Sequence, residues 1–176
     1  THAYLIPLME IVDETSNHPQ AVITAPTREL AIQIFDKVKV MQEIKPDLRV
    51  RLFIGGQQRS EDVESLSKGQ PHIVVGTPGR IKDLFLDTGG LRLDLAKILV
   101  VDEVDMTLEF GFLDDIDQCA SRMPEDLQML AFSATMPDQL RPFIRKYMSN
   151  PVTFQIGETV RFNPDIHHVL VPCYHH

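Results

Sequence analysis

Apolar runs of strand length alternate along this chain with stretches in which apolar residues recur at helical spacing. The run 21–24 (AVIT) is short and almost wholly apolar, and it stops just before Pro26. Leu30, Ile34, Val38 and Met41 then recur at the helical interval, with Lys37 and Glu43 among the polar positions around them, which predicts an amphipathic helix. Residues 50–54 predict a second strand, closed by the Gly55-Gly56 pair, and 73–75 a third, followed by Thr77-Pro78-Gly79 and a helix running towards Asp87. The most apolar run, 98–101 (ILVV), ends at Asp102-Glu103, and 130–132 leads into Ser133-Ala134-Thr135. Leu140, Phe143, Ile144, Tyr147 and Met148 form a helical stripe, and 152–156 is expected to close the series as a strand. Beyond about Gly157 the periodicity fades, and the stretch to 176, with Pro164 and Pro172, reads as a linker.

Strand and helix in regular alternation predict an α/β fold, a parallel sheet with helices on both faces. Its crossovers are right-handed, so every strand-to-helix turn emerges on one edge, where such sheets gather their ligands. The polar residues named above cluster at those strand ends.

Composition narrows the class without choosing the function. The 176 residues suit one domain, and 43% hydrophobic with 24% charged residues is ordinary for a globular chain. The apolar runs end within a few residues, too soon to span a membrane, and the chain does not open in the order of a signal peptide. Cys119 and Cys173 fit no metal-ligand spacing and read as reduced thiols of a cytoplasmic protein.

Charge changes the picture more. A protein that holds phosphate chains by bulk attraction is usually basic, whereas this chain carries a net charge of −8. Any nucleic-acid site must therefore be local and built from positioned donors. Helix amino termini supply such donors with little net charge. Thr77-Pro78 reads as an N-cap with proline at the first helical position, Thr27 with Glu29 opens the long second helix, and Thr135 before Pro137 is expected to open the last one.

Taken singly, several of these signals are bland. Thr-Pro before a helix is common capping, a Gly-Gly pair is a turn, and Arg28 and Arg80 could be solvated arginines. Asp102-Glu103 says more. An acid pair ending a buried apolar strand is the arrangement of nucleotide hydrolases, in which one carboxylate holds the magnesium shell through water and the next orients the attacking water. The alternative is a solvent-facing acidic turn.

Together, PTREL at 26–30, Gly55-Gly56, TPGR at 77–80, DEVD at 102–105 and SAT at 133–135 resemble the motifs of DEAD-box RNA helicases, in that family's order and spacing. Gly111-Phe112 is similar to the family too, and the texture of DLQMLAFSAT resembles bacterial members. The resemblance implies a RecA-like first helicase domain over 1–158 and a linker over 159–176 leading to a second RecA-like domain. It implies an ATP-dependent enzyme that pries short RNA duplexes apart. Asp102 would bind magnesium through water, and Glu103 would be the general base. Asp105, with Ser133 and Thr135, would couple nucleotide to strand separation. Pro26, Thr27, Arg28, Gly55, Gly56, Thr77, Pro78, Gly79 and Arg80 would grip the RNA backbone, contacts that carry no base identity.

Departures accompany the resemblance. Val104 stands where the family usually has alanine, and Thr107-Leu108 replaces a more apolar pair. Thr1-His2-Ala3-Tyr4 resembles the stretch directly after the Gly-Lys of the family's phosphate loop, which makes Thr1 that loop's magnesium-contacting threonine. The expectation is that the 176 residues alone turn over no ATP, although the parent protein does. Without the loop's strand, open sheet edges should lower stability or drive association. Three rival readings are a stand-alone RNA-binding module, a DNA-directed helicase of the same superfamily, and a phospho-receiver domain, the last leaving PTREL and TPGR unexplained.

Overall fold

The computed structural model describes residues 1–148 and 150–156. Five strands, β1 (Ala21–Thr24), β2 (Val50–Phe53), β3 (Ile73–Gly76), β4 (Ile98–Val101) and β5 (Gln128–Ala131), form one sheet in the order β2-β3-β1-β4-β5. Every pairing is parallel. The three inner strands are buried at every residue, which is why they read as unbroken apolar runs, whereas the edge strands β2 and β5 carry exposed polar positions.

Alternate residues of the strands feed two apolar clusters. Ile23, Val75 and Val100 join Tyr4, Leu5 and Leu8 of α1 (His2–Ile11) and Ala31, Ile34 and Val38 of α2 (Arg28–Met41). Val22, Val74 and Leu99 join Leu66 of α3 (Arg59–Ser67), Ile81 of α4 (Pro78–Lys82) and Val104 of α5 (Val104–Glu109). Ile116 of α6 (Leu113–Ala120) and Phe143 of α7 (Arg141–Tyr147) complete that second cluster. Helices thus cover both faces, as the alternation predicts. After Lys82 the chain continues through a π-helical turn, Asp83–Asp87, so the expected helix towards Asp87 is present with a wider last turn.

Two expectations are corrected. Residues 152–156 form no strand, and Val152, Phe154 and Ile156 are 78%, 87% and 100% exposed. Period-two apolar spacing marks a segment able to cover one face, but a strand also needs a neighbour's free ladder, and this segment pairs with none. Thr135 does not cap the last helix. A 3-10 turn, Asp138–Leu140, precedes α7, and Pro137 holds the capping position. The Thr135 hydroxyl instead donates to Asp105. The segment 159–176 lies outside the described residues.

Helices α1, α3, α5 and α6 escape the periodic reading. α1 is apolar on most sides, with Ile6 and Ile11 exposed, and α3 buries little beyond Leu66 and Asp62, so neither shows a clean stripe.

Candidate functional site

Parallel register sets the site's position. Phe53 lies beside Gly76, Gly76 beside Thr24, Thr24 beside Val101, and Val101 beside Ala131, so the five carboxyl ends form one row. The ladder runs on past the strands. Asp102 N–H donates to the Thr24 carbonyl, Thr77 N–H to that of Phe53, and Phe132 N–H to that of Val101. The motifs beginning at Thr77 and Asp102, and the one that follows Phe132, therefore start from hydrogen-bonded positions on a common rim, and Ala25, just before Pro26, donates to the Gly76 carbonyl. Gly76 allows the closest approach: a Cβ there would lie 2.1 Å from the Phe53 carbonyl oxygen.

On the β2-β3-β1 half of the rim is an open groove of about 670 Å³. Pro26, Thr27, Arg28, Gly55, Thr77, Gly79 and Arg80 line it, all expected from sequence, together with Glu29, Arg59, Asp83 and Phe112. Gly56 and Pro78 sit next to these lining residues in the chain. Thr27 caps α2 by accepting the Leu30 N–H, whereas Thr77 occupies the N-cap of α4 with no side-chain cap bond, leaving its hydroxyl uncommitted to that helix.

The groove's cations differ in kind. The Arg80 side chain is only 9% exposed, with Nη1 donating to Asp62 at 3.0 Å and Nη2 to the Gln57 carbonyl at 2.6 Å, so it is no solvated arginine. Burial raises the Asp62 pKa against the pull of that guanidinium. Arg59 pairs with Asp83 at 2.6 Å, and Lys82, just behind, with Asp115 at 2.6 Å. Arg28 is exposed and makes no ion pair or hydrogen bond among the described residues; its guanidinium lies over Gly55 and Gly56. Gly56 has φ +84, a backbone conformation that calls for glycine; a Cβ there would meet only the Arg28 guanidinium, the far end of a flexible side chain that can shift.

On the β4-β5 half stand the acids. Asp102 is 9% exposed and holds two donors, the Tyr4 hydroxyl on Oδ2 at 2.7 Å and the Glu103 N–H on Oδ1 at 3.1 Å. The Thr1 hydroxyl accepts a hydrogen bond from Lys37 Nζ at 3.4 Å. Burial first, and then the neighbouring Asp102, push the Tyr4 phenol far above its ordinary pKa, so it stays a donor. Glu103 adopts a left-handed backbone, φ 48 and ψ 56, at the N-cap of α5. Burial, with Asp102 and Asp105 nearby, raises its pKa. Val104 packs into the core behind the acids, and the Thr107 hydroxyl donates to the Glu103 carbonyl. Burial would raise Asp105, but hydrogen bonds from Thr135 and the Met106 N–H, with the Ser133 hydroxyl nearby, bring it below the usual carboxylate range. The Ser133 hydroxyl itself donates to the Thr135 carbonyl at 2.5 Å.

Sequence reasoning thus brings its residues to one rim, but it misses Tyr4, Asp62 and the Arg59–Asp83 pair. Tyr4 is hidden in an apolar helix, and the ion pairs join residues 18 and more positions apart, which no local spacing signals.

A doubly wound parallel sheet with an acid pair and several polar turns along its carboxyl rim defines an α/β domain of the nucleotide-handling class. The chain belongs to the DEAD/DEAH box helicase family, whose profile matches residues 1–143. It is 48% identical to the DEAD-box ATP-dependent RNA helicase CshB of Bacillus subtilis over 99% of its own length, covering 40% of that protein. It is 37% identical to the ATP-dependent RNA helicase DeaD of Haemophilus influenzae, covering 94% of this chain and 27% of that one. A crystal structure of a DEAD box protein from the hyperthermophile Methanococcus jannaschii superposes with a TM-score of 0.74 at 34% identity, over 84% of this chain and 39% of that one. The fold is accordingly the RecA-like domain of these helicases, and the chain spans about two fifths of the length of the first of these relatives.

Proposed function

We propose that this chain is the first RecA-like domain of an ATP-dependent RNA helicase that remodels short duplexes, with residues from 159 onward leading to a second such domain. The observation that carries the reading is the shared rim, which sets the groove beside the acid pair in hydrogen-bonded register. When bound, magnesium ATP supplies the phosphoryl group and the charge that develops during hydrolysis. Asp102, Glu103 and Thr1 offer only hard oxygen donors. Such donors would suit magnesium, which prefers hard oxygen ligands and would supply charge neutralisation there.

In this reading Asp102 presents a fixed carboxylate to that cation's water shell, and Glu103 accepts the proton of the attacking water. Asp105, Ser133 and Thr135 link the acid loop to the end of β5. Arg28 gives a charged contact to RNA phosphate, and Pro26, Thr27, Gly55, Gly56, Thr77, Pro78 and Gly79 line its path. Arg80 holds the groove's shape through Gln57. Such contacts fall on the backbone and select no base sequence. The acidic whole is no obstacle, because a single uncommitted guanidinium and directed N–H groups act at short range.

The test is RNA-stimulated ATP hydrolysis and duplex separation by the intact protein. Glu103→Gln is expected to abolish turnover while RNA binding persists. Arg28→Ala is expected to weaken RNA binding alike for unrelated sequences and to lower the salt slope by about one. Turnover undiminished in Glu103→Gln would remove the reading.

A further inference from the structure

Tyr4 is a phenol buried in an otherwise apolar helix face, 1% exposed, and its hydroxyl reaches out of α1 to the end of β4. We propose that Tyr4 is a positioning residue, whose hydroxyl locks the Asp102 carboxylate in the orientation that receives the magnesium-bound nucleotide. This inference rests on the proposed function and names a further residue of the same site.

Each Asp102 oxygen has one donor of its own, Tyr4 on Oδ2 and the Glu103 N–H on Oδ1, so turning the carboxylate breaks both bonds. The Tyr4 ring is held in turn. It tilts at 52° against Phe132, with ring centroids 5.0 Å apart. Phe132 is itself pinned, its N–H donating to the Val101 carbonyl and its carbonyl accepting from Val104 N–H. The phenol thus joins α1, the acid loop and the segment entering Ser133 at one point.

The choice of side chain fits this role. A lysine or arginine at this position would also hold the carboxylate, but its charge would cancel the negative charge that attracts a cation. A phenol donates one hydrogen bond and leaves that charge in place. Phenylalanine would fill the same space against Phe132 and free one carboxylate oxygen.

The experiment compares the intact protein with Tyr4→Phe, reading the binding of a fluorescent ADP as magnesium is varied. Tyr4→Phe is expected to raise the magnesium concentration for half-maximal binding roughly ten-fold or more, the order of effect of losing one hydrogen bond to a charged group, while RNA binding without nucleotide is unchanged. A second measurement uses 3-fluorotyrosine at position 4, whose fluorine resonance is expected to move on adding magnesium and ADP. A magnesium dependence of Tyr4→Phe that superimposes on that of the unaltered protein, or an unmoved resonance, overturns the proposal and leaves Tyr4 a packing residue. If the unaltered protein itself shows no magnesium-dependent nucleotide binding, the proposed function has failed, and this inference falls with it.

Discussion

Oδ2 of Asp105 receives two hydrogen bonds from Thr135, one from its backbone N–H at 3.0 Å and one from its hydroxyl at 2.7 Å. Thirty positions separate the residues, so the pair ties the helix after β4 to the turn after β5. Thr135→Val keeps the shape and the backbone bond but deletes the hydroxyl. The expected cost is about 1 kcal/mol, or a fall in Tm of roughly 2–4 °C, read by thermal melting. In the intact protein, duplex separation is expected to fall more than ATP turnover. Equal losses in both would show that the bond does not link them.

The Arg80–Asp62 pair is nearly dry, its side chains 9% and 10% exposed. Asp62→Ala leaves a buried guanidinium without its counter-charge, and the expected destabilisation is about 3–5 kcal/mol. Replacing both together, as Asp62→Leu with Arg80→Met, is expected to cost much less than Asp62→Ala alone. Denaturant melts of the unaltered protein and the two variants decide it, and a double variant no more stable than Asp62→Ala would contradict the pairing.

His72 is fully buried, and its bonds fix its protonation. Nδ1 accepts the Arg49 N–H at 3.0 Å, so the proton sits on Nε2 and is donated to the Ser16 carbonyl at 2.8 Å. Burial lowers its pKa, and nearby Arg49 adds to this; the Ser16 bond and the acids Glu14 and Asp13 act the other way but do not prevail. The folded state therefore binds fewer protons than the unfolded chain. His72 contributes stability that is complete above about pH 6.5 and is lost as pH falls from there through the lowered folded value. His72→Asn is expected to melt earlier at pH 8 yet to lose less on acidification to pH 5. Parallel melting curves would exclude this role.

Glu103 sits at φ 48, where an L side chain is strained. Glu103→Gly is expected to raise stability by about 1 kcal/mol while abolishing hydrolysis in the intact protein. Stability unchanged or reduced in Glu103→Gly would mean that the left-handed turn stores no strain.

The inner strands were legible because burial on both faces leaves their sequences apolar without interruption, and Pro26, Thr77-Pro78 and Asp102 mark where they stop. The rim followed from parallel order alone. The residues that tune it were not legible. Asp62 finds Arg80 across a helix and a strand, and Tyr4 finds Asp102 across most of the domain. The 152–156 segment shows the converse error, a strand-like pattern without a partner, and Thr135 shows a hydroxyl drawn from a helix end by a stronger acceptor.

The groove's arginines have a thermodynamic consequence. Arg59 and Arg80 arrive already neutralised by Asp83 and Asp62, so a polyanion laid across them sheds few of its condensed counter-ions. The release of salt that usually drives such association is mostly forgone, and Arg28 supplies the remainder. A polyanion bound as proposed would be held by fit more than by charge, and could be let go with little reclaiming of an ion atmosphere.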